Sequence, residues 1–243
     1  YIKMFSQEKL AYEKDEIGVY TINGKKLNLS KTEVSRLVTA YDGNIRFLDD
    51  NLKELFKYLE KSGLLLNSII IITADHGESL GEHNIFDHNE LYYGILRVPL
   101  IIKLPKLGRG INRYPVVSLD IFPTVVELLG YKNDRILRTF QGKSVFGKRR
   151  LQEELFSEYD NRHSLIIDNL RLFSNVNGRY EMYDINKDPL ELNNLASVEG
   201  NEFSFLKLKM NNFPKSSKCK NVNIKSILDE ETKSSLKSLG YIQ

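Results

Sequence analysis

Four isoleucines, Ile69 to Ile72, run without a break into Thr73, Ala74, Asp75, His76 and Gly77. A β-branched run with no polar alternation reads as a strand covered on both faces, and such a strand needs a sheet with helices packed against it. The residues ahead of it supply a helix. Ser30 and Glu33 have the spacing of a capping box, and Val34, Leu37, Val38, Tyr41, Ile45, Leu48, Leu52, Leu55, Phe56 and Leu59 recur at steps of three and four. Gly63 stops this helix, after Lys57 and Lys61 in its last turns, where the helix dipole favours cations. "RVPLIIKLP" then predicts a second buried strand from about Val98 to Leu104, and "VVSLDIFPTVVELLG" a helix closed by Gly130.

This alternation predicts an α/β fold built on part of a mostly parallel sheet flanked by helices. Residues 1–29 read as an irregular entry segment with one short strand around the "NGKK" turn. The character changes near residue 151, where "EELFSEYD", "HSLIIDN", "LRLFSNV" and "RYEMYDI" are short strands parted by Asn, Asp and Gly. They predict a small antiparallel sheet. Residues 206–225 carry six lysines and no acid and read as a solvated linker, and a last helix is expected over about Ser226–Leu239, before Gly240. The expected organisation is therefore an α/β part over 1–150, then a small antiparallel β subdomain with a C-terminal helix over 151–243.

Composition narrows the partners. Thirty-five basic residues against 32 acidic ones give a net charge of +3, too balanced to call for nucleic acid. The longest apolar runs are broken by polar residues and too short to span a bilayer, so no membrane segment is expected in this chain. The opening residues carry no signal-peptide pattern, but the chain starts at Tyr1 rather than Met, so the compartment stays open. A single cysteine, Cys219, excludes an internal disulfide framework and a thiolate metal cluster.

Three of the four histidines, His76, His83 and His88, fall in "TADHGESLGEHNIFDH". In an open α/β sheet, ligands bind beyond the carboxyl ends of the strands, which is where Asp75 and His76 stand. In a turn at a strand end a carboxylate and an imidazole can converge on one ion, and Gly77 relieves the crowding of such a turn. The bland alternative is a capping aspartate with a histidine packed on it.

"TADHGESLGEH" closely resembles the sulfatase family of the alkaline phosphatase superfamily. So, in order, do "YDGNIRFLDDNLKELFKYLEKSG", "LYYGILRVPLIIKLP", "VSLDIFPTVVELLG", "YEMYDINKDPLELNNLA" and "LKSLGYI". The resemblance implies that Asp75 and His76 bind a divalent cation, usually Ca2+, with Mg2+, Mn2+ or Zn2+ admitted by the imidazole. It implies that His88 stands where many members have a lysine contacting the sulfate, from which a histidine could donate a hydrogen bond or a proton. His83 belongs to the "GEH" element and reads as loop packing, and His163 as a surface residue.

The family's formylglycine arises in a C/S-x-P/A-x-R motif. Cys219 precedes Lys220, Asn221, Val222 and Asn223, and no serine has that context either. The expectation is thus the C-terminal portion of a sulfuric ester hydrolase whose nucleophile and further aspartates lie upstream, with this chain inactive alone. Its substrate would be a small-molecule or glycan sulfate ester. The alternatives are a phosphodiester or phosphonate hydrolase, a membrane-anchored phosphotransferase of the same superfamily, or a non-catalytic remnant.

Overall fold

A computed structural model of the protein describes residues 17–22, 25–105, 108–131, 139–147, 153–175, 177–197 and 200–213. By compactness, residues 1–210 group as one unit and 211–243 as another. The expected helix over Ser226–Leu239 lies outside the described residues.

The described residues of the entry segment form two strands where one was expected. Strands β1 (Ile17–Ile22) and β2 (Lys25–Ser30) pair antiparallel, from Ile17 opposite Ser30 to Ile22 opposite Lys25, and β4 (Ile85–Phe86) adds in parallel to β1. Ser30 then caps helix α1 (Lys31–Lys61), its backbone N–H donating to Glu33 Oε2 at 2.8 Å while Ser30 Oγ accepts from Glu33 N–H at 3.2 Å. Gly63, at φ +70°, ends it as expected.

Strand β3 (Ile70–Thr73) holds most of the isoleucine run, and β5 (Leu100–Lys103) is the second expected strand. They pair antiparallel, Ile70 opposite Lys103 through Thr73 opposite Leu100. The mostly parallel sheet expected here is therefore not what the described strands form, the one parallel pair among them being β1 with β4. An unalternating apolar run signals burial but does not specify the direction of its neighbour. Nor is the run fully covered: Ile70 to Ile72 are half-buried, and Ile101 opposite Ile72 is 57% exposed. The stripe on α1 is similarly open, with Ile45 and Leu48 more than half exposed.

From β6 (Leu155–Tyr159) the chain forms the expected antiparallel sheet, in the order β6, β7 (Arg162–Ile167), β8 (Leu170–Ser174), β9 (Tyr180–Asp184). Leu165, Leu172 and Met182 stand opposite one another across β7, β8 and β9 and therefore share a face. Onto it pack Phe203, Leu206 and Met210 of helix α4 (Asn201–Asn212), spaced along one helical face. The first residues of the supposed lysine linker are thus helical, because Leu206 and Met210 are core while Lys207 and Lys209 face Tyr180 and Glu154. The other face of the sheet presents Phe173 and Tyr183 to Leu91, with Tyr92 and Leu96 beside them.

This difference in burial has a measurable consequence. Leu165→Ala, at a side chain with no exposure, should cost about 2–5 kcal/mol of unfolding free energy. Leu48→Lys, on the open stripe of α1, should change it by no more than about 0.5 kcal/mol. Urea unfolding of the 243-residue chain checks both; equal losses would show that the stripe is packed.

Two short helices complete the frame, α2 (Tyr93–Leu96) and α3 (Ile121–Leu128). The buried Asp120 carboxylate accepts the backbone N–H of Val117 at 2.9 Å and of Lys143 at 2.7 Å, and so ties the start of α3 to the "QGKS" segment.

Candidate functional site

The site begins just beyond β3. Asp75 Oδ1 accepts the N–H of His76 at 3.0 Å, which holds the carboxylate back against its own turn. His76 Nδ1 lies 2.9 Å from the carbonyl of Gly77. That bond requires the proton on Nδ1 and leaves the lone pair on Nε2, the atom a metal would use. Nε2 stands 3.7 Å from Asp75 Oδ2. Neighbouring ligands around Mg2+ or Ca2+ are separated by about 3.0–3.4 Å, given metal–oxygen distances of about 2.1–2.4 Å. The pair needs only a small closure to chelate one ion. Both side chains are open enough to admit it with water, at 54% and 37% exposed for Asp75 and His76.

Gly77 is required by contact. A Cβ there would lie 2.4 Å from the carbonyl oxygen of Gly94, and the Gly77 N–H donates to Ile95 O at 2.6 Å. The turn bearing Asp75 and His76 is thereby pressed onto α2.

His88 is brought against His76, the rings stacked at 4.2 Å between centroids and 22° between planes. Its Nδ1 is 3.1 Å from Glu78 Oε2, a partner that sequence reasoning missed. A carboxylate on Nδ1 orients the ring and leaves Nε2 for another contact. His76, Glu78 and His88 each have a ligand atom within 4.8 Å of the others. His76 therefore belongs to two overlapping sets of possible ligands, the pair with Asp75 and the trio with Glu78 and His88.

His83 performs a different task. At φ +54° it swings its ring flat onto Tyr92, 3.7 Å away and 5° from parallel, with Nε2 3.1 Å from the carbonyl of Leu190. It joins the loop to the segment after β9, as loop packing requires. His163 lies on β7, half-buried beside Phe156, with Nε2 3.9 Å from Glu158.

The loop is also held by pairs that no periodicity revealed. Arg162 Nη1 reaches Glu90 Oε2 at 2.5 Å, and Tyr159 Oη donates to Asn89 Oδ1 at 2.9 Å, so the β6–β7 hairpin grips the two residues after His88. Burial raises the Glu90 carboxyl above its ordinary value, with Arg162 opposing it. Deeper in, Arg171 bonds Glu191, and both are essentially without exposure. Arg171 Nε donates to Ser164 Oγ at 3.1 Å, its guanidinium lies 4.2 Å over the Phe173 ring, and Glu191 Oε2 accepts the N–H of Tyr93 at 2.7 Å. Burial pulls the Arg171 guanidinium below its usual value, and Glu191 counters it.

Known proteins resemble this chain in sequence and fold. The family model described as Sulfatase matches residues 2–131, and that of the N-sulphoglucosamine sulphohydrolase C-terminal region matches 81–216. The chain belongs to the sulfatase family. It is 29% identical over 186 residues to a choline-sulfatase of Rhizobium meliloti, covering 71% of this chain and 35% of that protein. It is 31% identical over 173 residues to an N-acetylglucosamine-6-O-sulfatase of Bacteroides thetaiotaomicron, covering 64% and 31%. Among solved structures, one in complex with its substrate D-glucosamine-2-N,6-O-disulfate matches at TM-score 0.60 and 26% identity, covering 74% of this chain and 40% of that one. A phosphonate monoester hydrolase of Agrobacterium radiobacter shares the fold at TM-score 0.60 and 22% identity, over 73% and 40%. The chain spans about a third of the length of these two curated relatives.

Proposed function

We propose that the protein provides the cation-binding and sulfate-contacting part of a sulfuric ester hydrolase. The observation that carries this reading is the convergence of Asp75 Oδ2 and His76 Nε2, 3.7 Å apart, with the His88 ring stacked beside them. Asp75 and His76 would hold the divalent cation. Calcium is the family's usual ion, and one carboxylate with one imidazole also suits Mg2+, Mn2+ or Zn2+. When bound, the cation supplies charge neutralisation for the sulfate oxygens. Every other step falls to side chains. Glu78 orients His88, whose Nε2 steadies the sulfate or protonates the leaving oxygen. The loop's grip on the β6–β7 hairpin keeps that ring in place.

The substrate proposed is a sulfate ester of a small molecule or glycan, a sugar being favoured by the names of the second relative and of the substrate-bound structure. The nucleophile, a formylglycine in the family's usual chemistry, would come from the region that relatives carry outside the matched span. None of the 243 residues has the C/S-x-P/A-x-R context. A phosphonate or phosphodiester hydrolase is the second reading, favoured by the shared fold of the phosphonate monoester hydrolase.

Residues 1–243 alone are expected to release no sulfate from an aryl sulfate or a 6-sulfated glucosamine, with or without added Ca2+, Mg2+ or Mn2+. The complete enzyme should turn over the sulfates and lose that activity to a chelator. Turnover by the chain alone would place the nucleophile within it. A preference of the complete enzyme for phenylphosphonate over the sulfates would favour the second reading.

A further inference from the structure

A chain of short contacts runs from the buried Arg171–Glu191 pair to the Asp75–His76 turn. Glu191 is 2% exposed and sits at φ +57°, a backbone conformation that costs free energy in a residue with a side chain. The surrounding structure holds it there, and one carboxylate serves two partners. Its Oε1 meets Arg171, and its Oε2 accepts the N–H of Tyr93, the first residue of α2, at 2.7 Å. From α2, the carbonyl of Ile95 takes the Gly77 N–H at 2.6 Å, and that of Gly94 stands where a Gly77 Cβ would lie 2.4 Å away. The Gly77 carbonyl in turn holds His76 Nδ1 at 2.9 Å. Each link is a direct hydrogen bond or a close backbone approach, so a shift of α2 is passed to the Gly77 peptide.

We infer that Glu191 is a positioning residue for the cation pair: anchored by Arg171, it fixes the start of α2 and, through Gly94 and Ile95, the Gly77 peptide that orients His76. The inference rests on the metal reading proposed above. Burial obliges both Glu191 oxygens to find partners. The second oxygen, spent on a backbone N–H that 98 residues separate from it, is what links the pair to the site.

Tyr93→Pro deletes the bond to Glu191 and, because its Cδ takes the place of the N–H that points at Oε2 2.7 Å away, pushes that carboxylate off the start of α2. Proline lacks the N–H but is tolerated at the first position of a helix, and Tyr92 already has the extended conformation (φ −63°, ψ 149°) that a following proline requires. Tyr93→Ala removes the same ring and keeps the N–H, which makes it the control. Mn2+ is titrated into the 15N-labelled 243-residue chain, and paramagnetic broadening of the Asp75, His76 and Gly77 amide signals is followed. Asp75→Ala should abolish the broadening. Tyr93→Pro should need about tenfold more Mn2+ than Tyr93→Ala for the same effect, the usual size of an outer-sphere loss. Equal titrations of the two Tyr93 variants, with Asp75→Ala still abolishing the effect, overturn the role of Glu191 and leave the metal reading standing. Broadening that survives Asp75→Ala overturns both. Should Tyr93→Pro fail to fold, the double variant Arg171→Met/Glu191→Met carries the same test with a neutral core: about tenfold weaker binding supports the inference, and unchanged binding overturns it.

Discussion

Glu191→Ala should destabilise the chain by about 3–5 kcal/mol, the largest loss expected from any single polar substitution here. The reason is that the arginine left behind keeps its charge and loses its counterion. Arg171 has no exposure, and its Nη2 has no hydrogen-bond partner among the described residues, which leaves the Ser164 hydroxyl and the Phe173 ring as its remaining polar support. Neither carries a negative charge. Replacing both members together, as Arg171→Met/Glu191→Met, should cost far less, because no charge is then stranded in the interior. Urea unfolding measured on the three proteins separates these cases. A Glu191→Ala loss no greater than that of the double variant would mean that water reaches the guanidinium and that the pair is not buried in solution.

The second large effect is on chemistry. In the complete enzyme, Asp75→Ala should lower metal-dependent release of sulfate by about a thousandfold or more, since it would remove the carboxylate of the proposed cation pair and the charge stabilisation proposed to depend on it. Asp75 is more than half exposed, so the fold should survive the change, and the loss should appear in turnover without a fall in melting temperature. His88→Ala should behave differently. It leaves the Asp75–His76 pair intact, and it should lower turnover by about a hundredfold for esters with poor leaving groups while sparing aryl sulfates that need no proton. Measuring both variants on a 4-nitrophenyl sulfate and on a sugar sulfate distinguishes the two roles. A fully active Asp75→Ala enzyme would remove the cation from this turn.

The two effects meet in the segment from Leu91 to Leu96, which lies between the C-terminal sheet and the Asp75–Gly77 turn. One side of it packs on Phe173 and Tyr183, and the other supports Gly77. In this architecture the antiparallel sheet is the platform on which the loop after β3 is shaped. His83 and Tyr92, stacked together and bonded to the Leu190 carbonyl, tie the same two layers at a second point.

Local chemistry made much of this legible in the sequence alone. The capping box at Ser30, the stop at Gly63, the strand ending before Asp75 and the four short strands after residue 151 all follow from contacts between near neighbours, and each is present. The proximity of Asp75 to His76 follows from adjacency in the chain, and the family from motifs spread along it. What required the tertiary structure is everything set by partners distant in sequence. The direction of β5 beside β3 depends on how the intervening loop returns, and a run of isoleucines is equally apolar in either orientation. The helical start of the lysine-rich segment depends on a sheet face for Leu206 and Met210 to cover. Glu78 against His88, Arg162 against Glu90, and Arg171 against Glu191 against Tyr93 are charges and donors that composition counts as surface residues. A charge such as that of Glu191 is fixed in place when folding removes water from it and supplies partners instead, and those partners arrive from a strand laid down twenty residues earlier and a helix laid down 98 earlier.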